Sequence, residues 1–172
     1  MNTVLLANLV SLAGCLLMVS IGFVKKKKWI LGLQCIQFGI MGTGNLILGA
    51  YAGAIAGMVS ILRNLAFFKF EGTLKLKLLF IGIQTLLSLP SLQTGWLEWL
   101  PLLSTILFTC FLDVKSEVLL KLVIIIAQAF WMVYDLCYQN YTTMTFDFLT
   151  MISTIIGIVM ILRDKKRNSS TT

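Results

Sequence analysis

Apolar residues run through this chain in stretches of about 16 to 22, and the segments between them are short and polar. At ~1.5 Å per helical residue, such stretches match the hydrocarbon core of a bilayer. The pattern predicts an all-α integral membrane protein with seven transmembrane helices. They fall at approximately 3–24, 29–49, 51–69, 74–91, 97–113, 117–138 and 143–163. Almost nothing joins the second to the third or the sixth to the seventh, so both pairs read as tight hairpins. The fourth helix stands between two groups of three.

That 3+1+3 order predicts two parallel triple-helix bundles, the added helix letting both triplets share one orientation. The chain divides accordingly into a first bundle (1–70), a linker helix (71–93), a second bundle (94–163) and a basic, polar tail (164–172). An offset of ninety residues tests the duplication. It lays Asn45 on Asp135, Leu46 on Leu136, Tyr51 on Tyr141, Gly57 on Asp147, Ser60 on Thr150 and Asn64 on Thr154. Identities are few, but polar positions coincide within matching hairpins.

Charge sets the expected orientation. The fourteen Lys and Arg residues include Lys25–Lys28, then Arg63, Lys69, Lys75 and Lys77. Lys115 and Lys121 precede or begin the sixth helix, and Arg163, Lys165, Lys166 and Arg167 close the chain. The turns near 45–51, 91–99 and 138–143 carry none. Positive loops stay on the cytoplasmic side, which puts the N-terminus outside and the C-terminus inside a bacterial plasma membrane. Met1–Val24 lacks the leading positive charge of a signal peptide and reads as a retained span.

Composition agrees. The chain is 58% hydrophobic and 12% charged, against about a quarter charged in globular domains. The net charge of +7 is split among loops, so contact with anionic headgroups explains it better than nucleic-acid binding. Cys15, Cys35, Cys110 and Cys137 are scattered without a CxxC pair, and there is no histidine. Neither a metal site nor a cofactor is expected, and the cysteines read as small apolar residues.

Polar side chains in lipid face the bundle interior, so their stripes locate whatever the helices surround. Gln34, Gln37, Met41 and Asn45 share a face of the second helix, and Gln128, Trp131 and Asp135 share one on the sixth. The third helix offers Gly53, Gly57, Ser60 and Asn64; the seventh offers Asp147, Thr150, Thr154 and Gly157. Gly49, Gly53 and Gly57 form a GxxxGxxxG run suited to close helix packing, which is compatible with lining a cavity. Asp135 and Asp147 flank one hairpin, an estimated ~5 Å below the helix ends. They are candidates for an outer gate and a proton site, or else solvated interfacial acids. Arg63 can snorkel to headgroups, close the inner end of the path, or pair with an anionic solute. Trp131 lies deep enough to stack on a ligand. Trp96, Trp99, Tyr51, Tyr138 and Tyr141 suggest an outer aromatic belt. Pro101 is tolerated in a first helical turn or acts as a hinge.

Catalysis is not expected. Tyr134–Asp135 with a second intramembrane aspartate suggests a YD…GxGD protease, but Asp147 follows Met144-Thr145-Phe146, with neither glycine. A Ser/His pair cannot be assembled without histidine.

The segment from Asn45 through Gly49-Ala50-Tyr51-Ala52-Gly53 to Arg63 resembles the LLGA-x-x-AG…R segment of the YgjV family of bacterial inner membrane proteins. Glu98-Trp99-Leu100-Pro101, followed by Ser104 and Thr105, is similar to that family's ELLP segment. Trp131-Met132-Val133-Tyr134-Asp135 with Asp147 matches its W-x-x-H-N…E pattern in part. The histidine is absent here, so any chemistry that depends on it is in doubt. The resemblance implies a layout similar to SWEET and PQ-loop transporters, although their Pro-Gln signature is missing.

The expected function is therefore a carrier of a small neutral or cationic solute. Its path would be lined by Gln34, Gln37, Asn45, Ser60, Asn64, Gln128, Trp131, Thr150 and Thr154, and gated by Asp135, Asp147 and Arg63. The alternative is a non-transporting assembly protein whose polar residues only bond helices together. Partners expected are lipid, the solute, and a second copy of the chain.

Overall fold

The computed structural model describes residues 2–21, 27–70, 73–111, 114 and 116–169. Lys25, Lys26 and Lys115, the last residues of the first predicted span, and the domain boundary at 70/71 lie outside them. Seven α-helices and no strand are present among the described residues. They are α1 (Thr3–Ile21), α2 (Lys27–Ile47), α3 (Tyr51–Lys69), α4 (Leu74–Leu92), α5 (Trp99–Phe111), α6 (Glu117–Cys137) and α7 (Tyr141–Ser169). Four stretches are long and apolar enough to cross a membrane: Tyr51–Lys69, Leu74–Leu92, Val118–Cys137 and Tyr141–Arg163. Thr3–Val19 and Trp96–Phe111 are shorter apolar helices.

Local chemistry sets the helix ends. The Thr73 hydroxyl accepts from Leu76 N at 3.4 Å and starts α4; the Ser116 hydroxyl accepts from Leu119 N at 3.3 Å and starts α6. A 3₁₀ turn at Trp96–Glu98 takes up the chain that sequence alone assigns to the start of the fifth helix. At the other extreme, α7 continues to Ser169, so Lys166 and Arg167 ride on a helix instead of a tail.

Both hairpins use one backbone device. Gly49 (φ +73°) and Gln139 (φ +59°) take the left-handed conformation after α2 and α6. Ala50 N then donates to Asn45 O, and Asn140 N to Asp135 O, each at 2.8 Å. Gly49 N donates to Leu46 O at 3.1 Å, and Gln139 N to Leu136 O at 3.2 Å. This is the six-to-one and five-to-two closure of a Schellman end, at an offset of ninety residues. Asn140 Nδ2 donates across to Asn45 Oδ1 at 3.3 Å, so the two hairpins meet at one end of the molecule.

Packing follows the chain order. α2 lies between α1 and α3, and α6 between α5 and α7; α1 touches α7, and α3 touches α5. α4 packs on α3 and α5, outside that ring of six. Phe67 of α3 and Phe80 of α4 meet at 6.3 Å between ring centroids, next to Val59. The molecule is apolar outside and polar within: Leu65, Leu78, Leu86 and Ile156 are exposed, while buried polar residues outnumber buried apolar ones among the described set. That inversion is what a hydrocarbon solvent requires.

Small residues set the closest approach. A Cβ on Gly57 would come 3.3 Å from Phe38 O, and one on Gly53 would fall 2.7 Å from Asn45 Nδ2 and 2.8 Å from Tyr134 Cε1. Gly49 departs from the expected packing run. It precedes α3, a Cβ there would meet nothing within 4 Å, and its backbone angle is what selects glycine.

Candidate functional site

The ring of six helices surrounds a cavity of about 300 Å³. Gln34, Gln37 and Asn45 line it from α2, and Ser60 and Arg63 from α3. Gln128, Trp131 and Asp135 face them from α6, with Asp147 and Thr150 from α7. Asn64 and Thr154, placed on the path by their spacing, do not line it. Asn64 Nδ2 instead donates to Gln34 Oε1 at 3.0 Å, and the Thr154 hydroxyl turns back to Thr150 O at 2.7 Å. Pro101 is buried in the first turn of α5, which continues unbroken to Phe111. α5 adds Ser104, Thr105 and Phe108 to the wall.

The two aspartates are more enclosed than their positions beside a turn suggest. Asp135 is 1% exposed and Asp147 4%, which overturns the reading of solvated interfacial acids. Asn140, in the turn, holds Asp135: its Nδ2 donates to Asp135 Oδ1 at 3.2 Å, and its Oδ1 accepts from the Thr143 hydroxyl at 3.0 Å. Asp147 Oδ1 accepts from Gln128 Nε2 at 3.0 Å. The second oxygen of each carboxyl is buried with no other donor, and the two groups lie within hydrogen-bonding reach of each other. A shared proton would satisfy both.

Residues with no conspicuous sequence signal seal this end. Ala50 precedes α3 and offers no side-chain cap, so the first-turn N–H groups of α3 take partners from elsewhere. Glu98 Oε2 accepts from Ala52 N at 3.2 Å, and the Tyr134 hydroxyl accepts from Gly53 N at 3.0 Å. The Tyr138 hydroxyl donates to Glu98 Oε1. α7 is served in the same way: Asn8 Oδ1 accepts from Thr142 N at 2.8 Å, while its Nδ2 reaches Gln139 O at 2.9 Å. Asn8 and Glu98 are ninety residues apart, and so are Thr142 and Ala52. Each cap therefore crosses from one half of the chain to the other.

Towards the opposite end, Arg63 is 3% exposed. Its Nη1 donates to the Thr109 hydroxyl at 3.1 Å, and its guanidinium lies 5.4 Å from the centroid of the Phe108 ring. The snorkelling expected of it does not occur, because the side chain turns into the cavity. Trp131 also lines the cavity and packs edge-on against Tyr134 at 5.9 Å. Tyr51, Trp96, Trp99 and Tyr141 are exposed near the hairpin end.

Comparison with known proteins gives one match, which covers the ring except the first residues of α1 and the last of α7. The family described as Imp-YgjV, bacterial inner membrane protein, matches residues 5–165. No curated protein and no solved structure matches the chain.

Proposed function

The chain belongs to this family of multi-pass bacterial inner membrane proteins, and from that premise we propose that it carries a small polar solute across the bilayer. The observation that carries the reading is the cavity. A protein whose surface is apolar holds, between six helices, a space faced by amides, hydroxyls, two carboxyls and a guanidinium. Helix association alone does not call for a buried charged group left short of partners, yet Arg63 Nε is in that condition.

The finer architecture belongs to the same proposal. Equal turns and reciprocal caps at a ninety-residue offset support two parallel triplets, α1–α3 and α5–α7, with α4 as the linker. The basic segments at the ends opposite the hairpins support a cytoplasmic C-terminus and an outward-facing hairpin end. Such a layout is similar to SWEET and PQ-loop carriers, which is analogy and carries no cargo with it. In this conformation Asn8, Glu98 and Asn140 shut the outer end. Rocking of the triplets would break the crossing caps first, and the aspartate pair would then exchange its proton with the outside.

Single cysteines at 34, 128 and 150 in a cysteine-free protein test the cavity in permeabilised cells, where the reagent reaches both membrane faces. A small polar thiol reagent should label them, and labelling of 128 should fall in Asp135→Asn/Asp147→Asn if the pair governs opening. Silence at all three positions, with labelling confined to exposed control sites, would mean a dry interior. The polar residues would then serve assembly alone, and the carrier reading would be lost.

A further inference from the structure

By number, the amides and hydroxyls along the cavity favour a neutral or cationic cargo. Arg63 shifts that balance. A guanidinium has five N–H donors in a planar fork. Among the described residues this one has a single hydrogen bond, to a neutral hydroxyl, and its Nε is buried without a partner. No carboxylate among the described residues pairs with it. Asp135 and Asp147 are engaged by Asn140 and Gln128, and Glu98 by Ala52 and Tyr138. Gly53 marks the depth of Asn45 and Tyr134, and Arg63 lies ten residues further along α3, ~15 Å away at ~1.5 Å per residue. Burying a charge costs several kcal/mol unless an opposite charge and hydrogen bonds compensate. Lipid phosphates do not supply that charge, because the group is buried from the outer face of the helices and opens on the cavity.

We propose that Arg63 is an oxyanion-binding residue, and that the cavity takes a small organic monocarboxylate with its carboxylate on the guanidinium. Thr109 fixes the fork: its hydroxyl donates to Thr105 O at 2.7 Å and accepts from one Nη1 N–H, leaving Nη2 and the other Nη1 N–H for a carboxylate. Ser60, one turn back on the same face of α3, also lines the space. One guanidinium balances one negative charge, which favours a monocarboxylate over a phosphate dianion. Met18, Phe38, Phe108 and Ile124 supply an apolar wall for its carbon body. The inference deepens the carrier reading, but the binding it asserts is measured without flux.

The test uses purified protein in a neutral maltoside detergent. Butanedione, an arginine reagent about the size of the proposed ligand, is applied at fixed ionic strength, and modification is read site by site. The chain has three arginines, so Arg163 and Arg167 serve as internal controls. Acetate and lactate should slow modification of Arg63 but not of the controls, with chloride as the reference salt. Lactate should also raise the unfolding midpoint of the native protein but not of Arg63→Gln. Arg63→Lys, which keeps the charge and loses the fork, should weaken binding at least about tenfold. The native-protein labelling decides the matter even if Arg63→Gln fails to fold. Equal modification of all three arginines with and without carboxylate overturns the proposal. An Arg63 that the reagent never reaches overturns it too, and so does protection by phosphatidylglycerol alone. Carboxylate binding without uptake into proteoliposomes would leave the site standing and remove the carrier.

Discussion

Gly49 and Gln139 make the same left-handed turn with unequal ease. A residue with a Cβ gives up about 1–2 kcal/mol in that conformation, whereas glycine adopts it freely. Gln139→Gly should therefore stabilise the protein by up to about 1 kcal/mol, part of the gain being lost to glycine's freedom in the unfolded chain. Gly49→Ala should cost a similar amount. Thermal unfolding in detergent measures both, and a Gln139→Gly protein that melts below the native one would refute the account. The side chain of Gln139 makes no hydrogen bond among the described residues; its carbonyl holds Asn8 and survives the change. The sequence pattern put Gly49 in a packing run, and only its backbone angle shows that it makes the first turn. Nothing in Gln139 announces the second, and only the offset to Gly49 could have pointed to it. Gly53 shows the opposite limit, since Gly53→Ala would drive a methyl into Asn45 and Tyr134.

Helix ends are where the crossing contacts act. Removing a side-chain cap costs about 1 kcal/mol, and Asn8→Ala should lose about that from α7. Glu98→Ala should lose more, because it also leaves the Tyr138 hydroxyl without its acceptor. Asn8→Ala with Glu98→Ala tests whether the two caps hold one interface. A combined loss differing from the sum by more than ~0.5 kcal/mol would show coupling, and strict additivity would reduce them to independent caps. Most helix limits were legible because apolar runs and the short hairpins mark them, while the caps at Thr73 and Ser116 went unread. α5 came out shorter and α7 longer, since apolarity cannot tell a 3₁₀ turn from a helix start or stop a helix within a charged run. Asn8 and Glu98 were missed because a cap is usually sought just before its helix. Ala50 was the available signal: a helix start with no side-chain cap must find its acceptors elsewhere.

Across the whole molecule, polar periodicity identified much of the cavity wall, because a stripe on an apolar helix has only the interior to face. It could not rank depth along the helix axis. Asp135 and Asp147 were expected near water and are buried; Asn64 and Thr154 shared the right stripes but turned to Gln34 and Thr150 instead of the space. Depth depends on which partner fills the end of the bundle, and that is a property of all seven helices together. The closed hairpin end gives a directional prediction. If the hairpins face outward, a cysteine at 139 should react with an impermeant reagent in intact cells, and one at 166 only after permeabilisation. The reverse order would invert the orientation inferred from charge. With the caps intact, a cysteine at 128 should be reached from the cytoplasmic side in inverted vesicles and poorly from outside. Asn8→Ala with Glu98→Ala should raise its labelling from outside several-fold, because the crossing caps help to close that end. If the double variant changes stability but not sidedness, the caps are structural, and the gate must be sought in the Asn45–Asn140–Asp135 contacts alone.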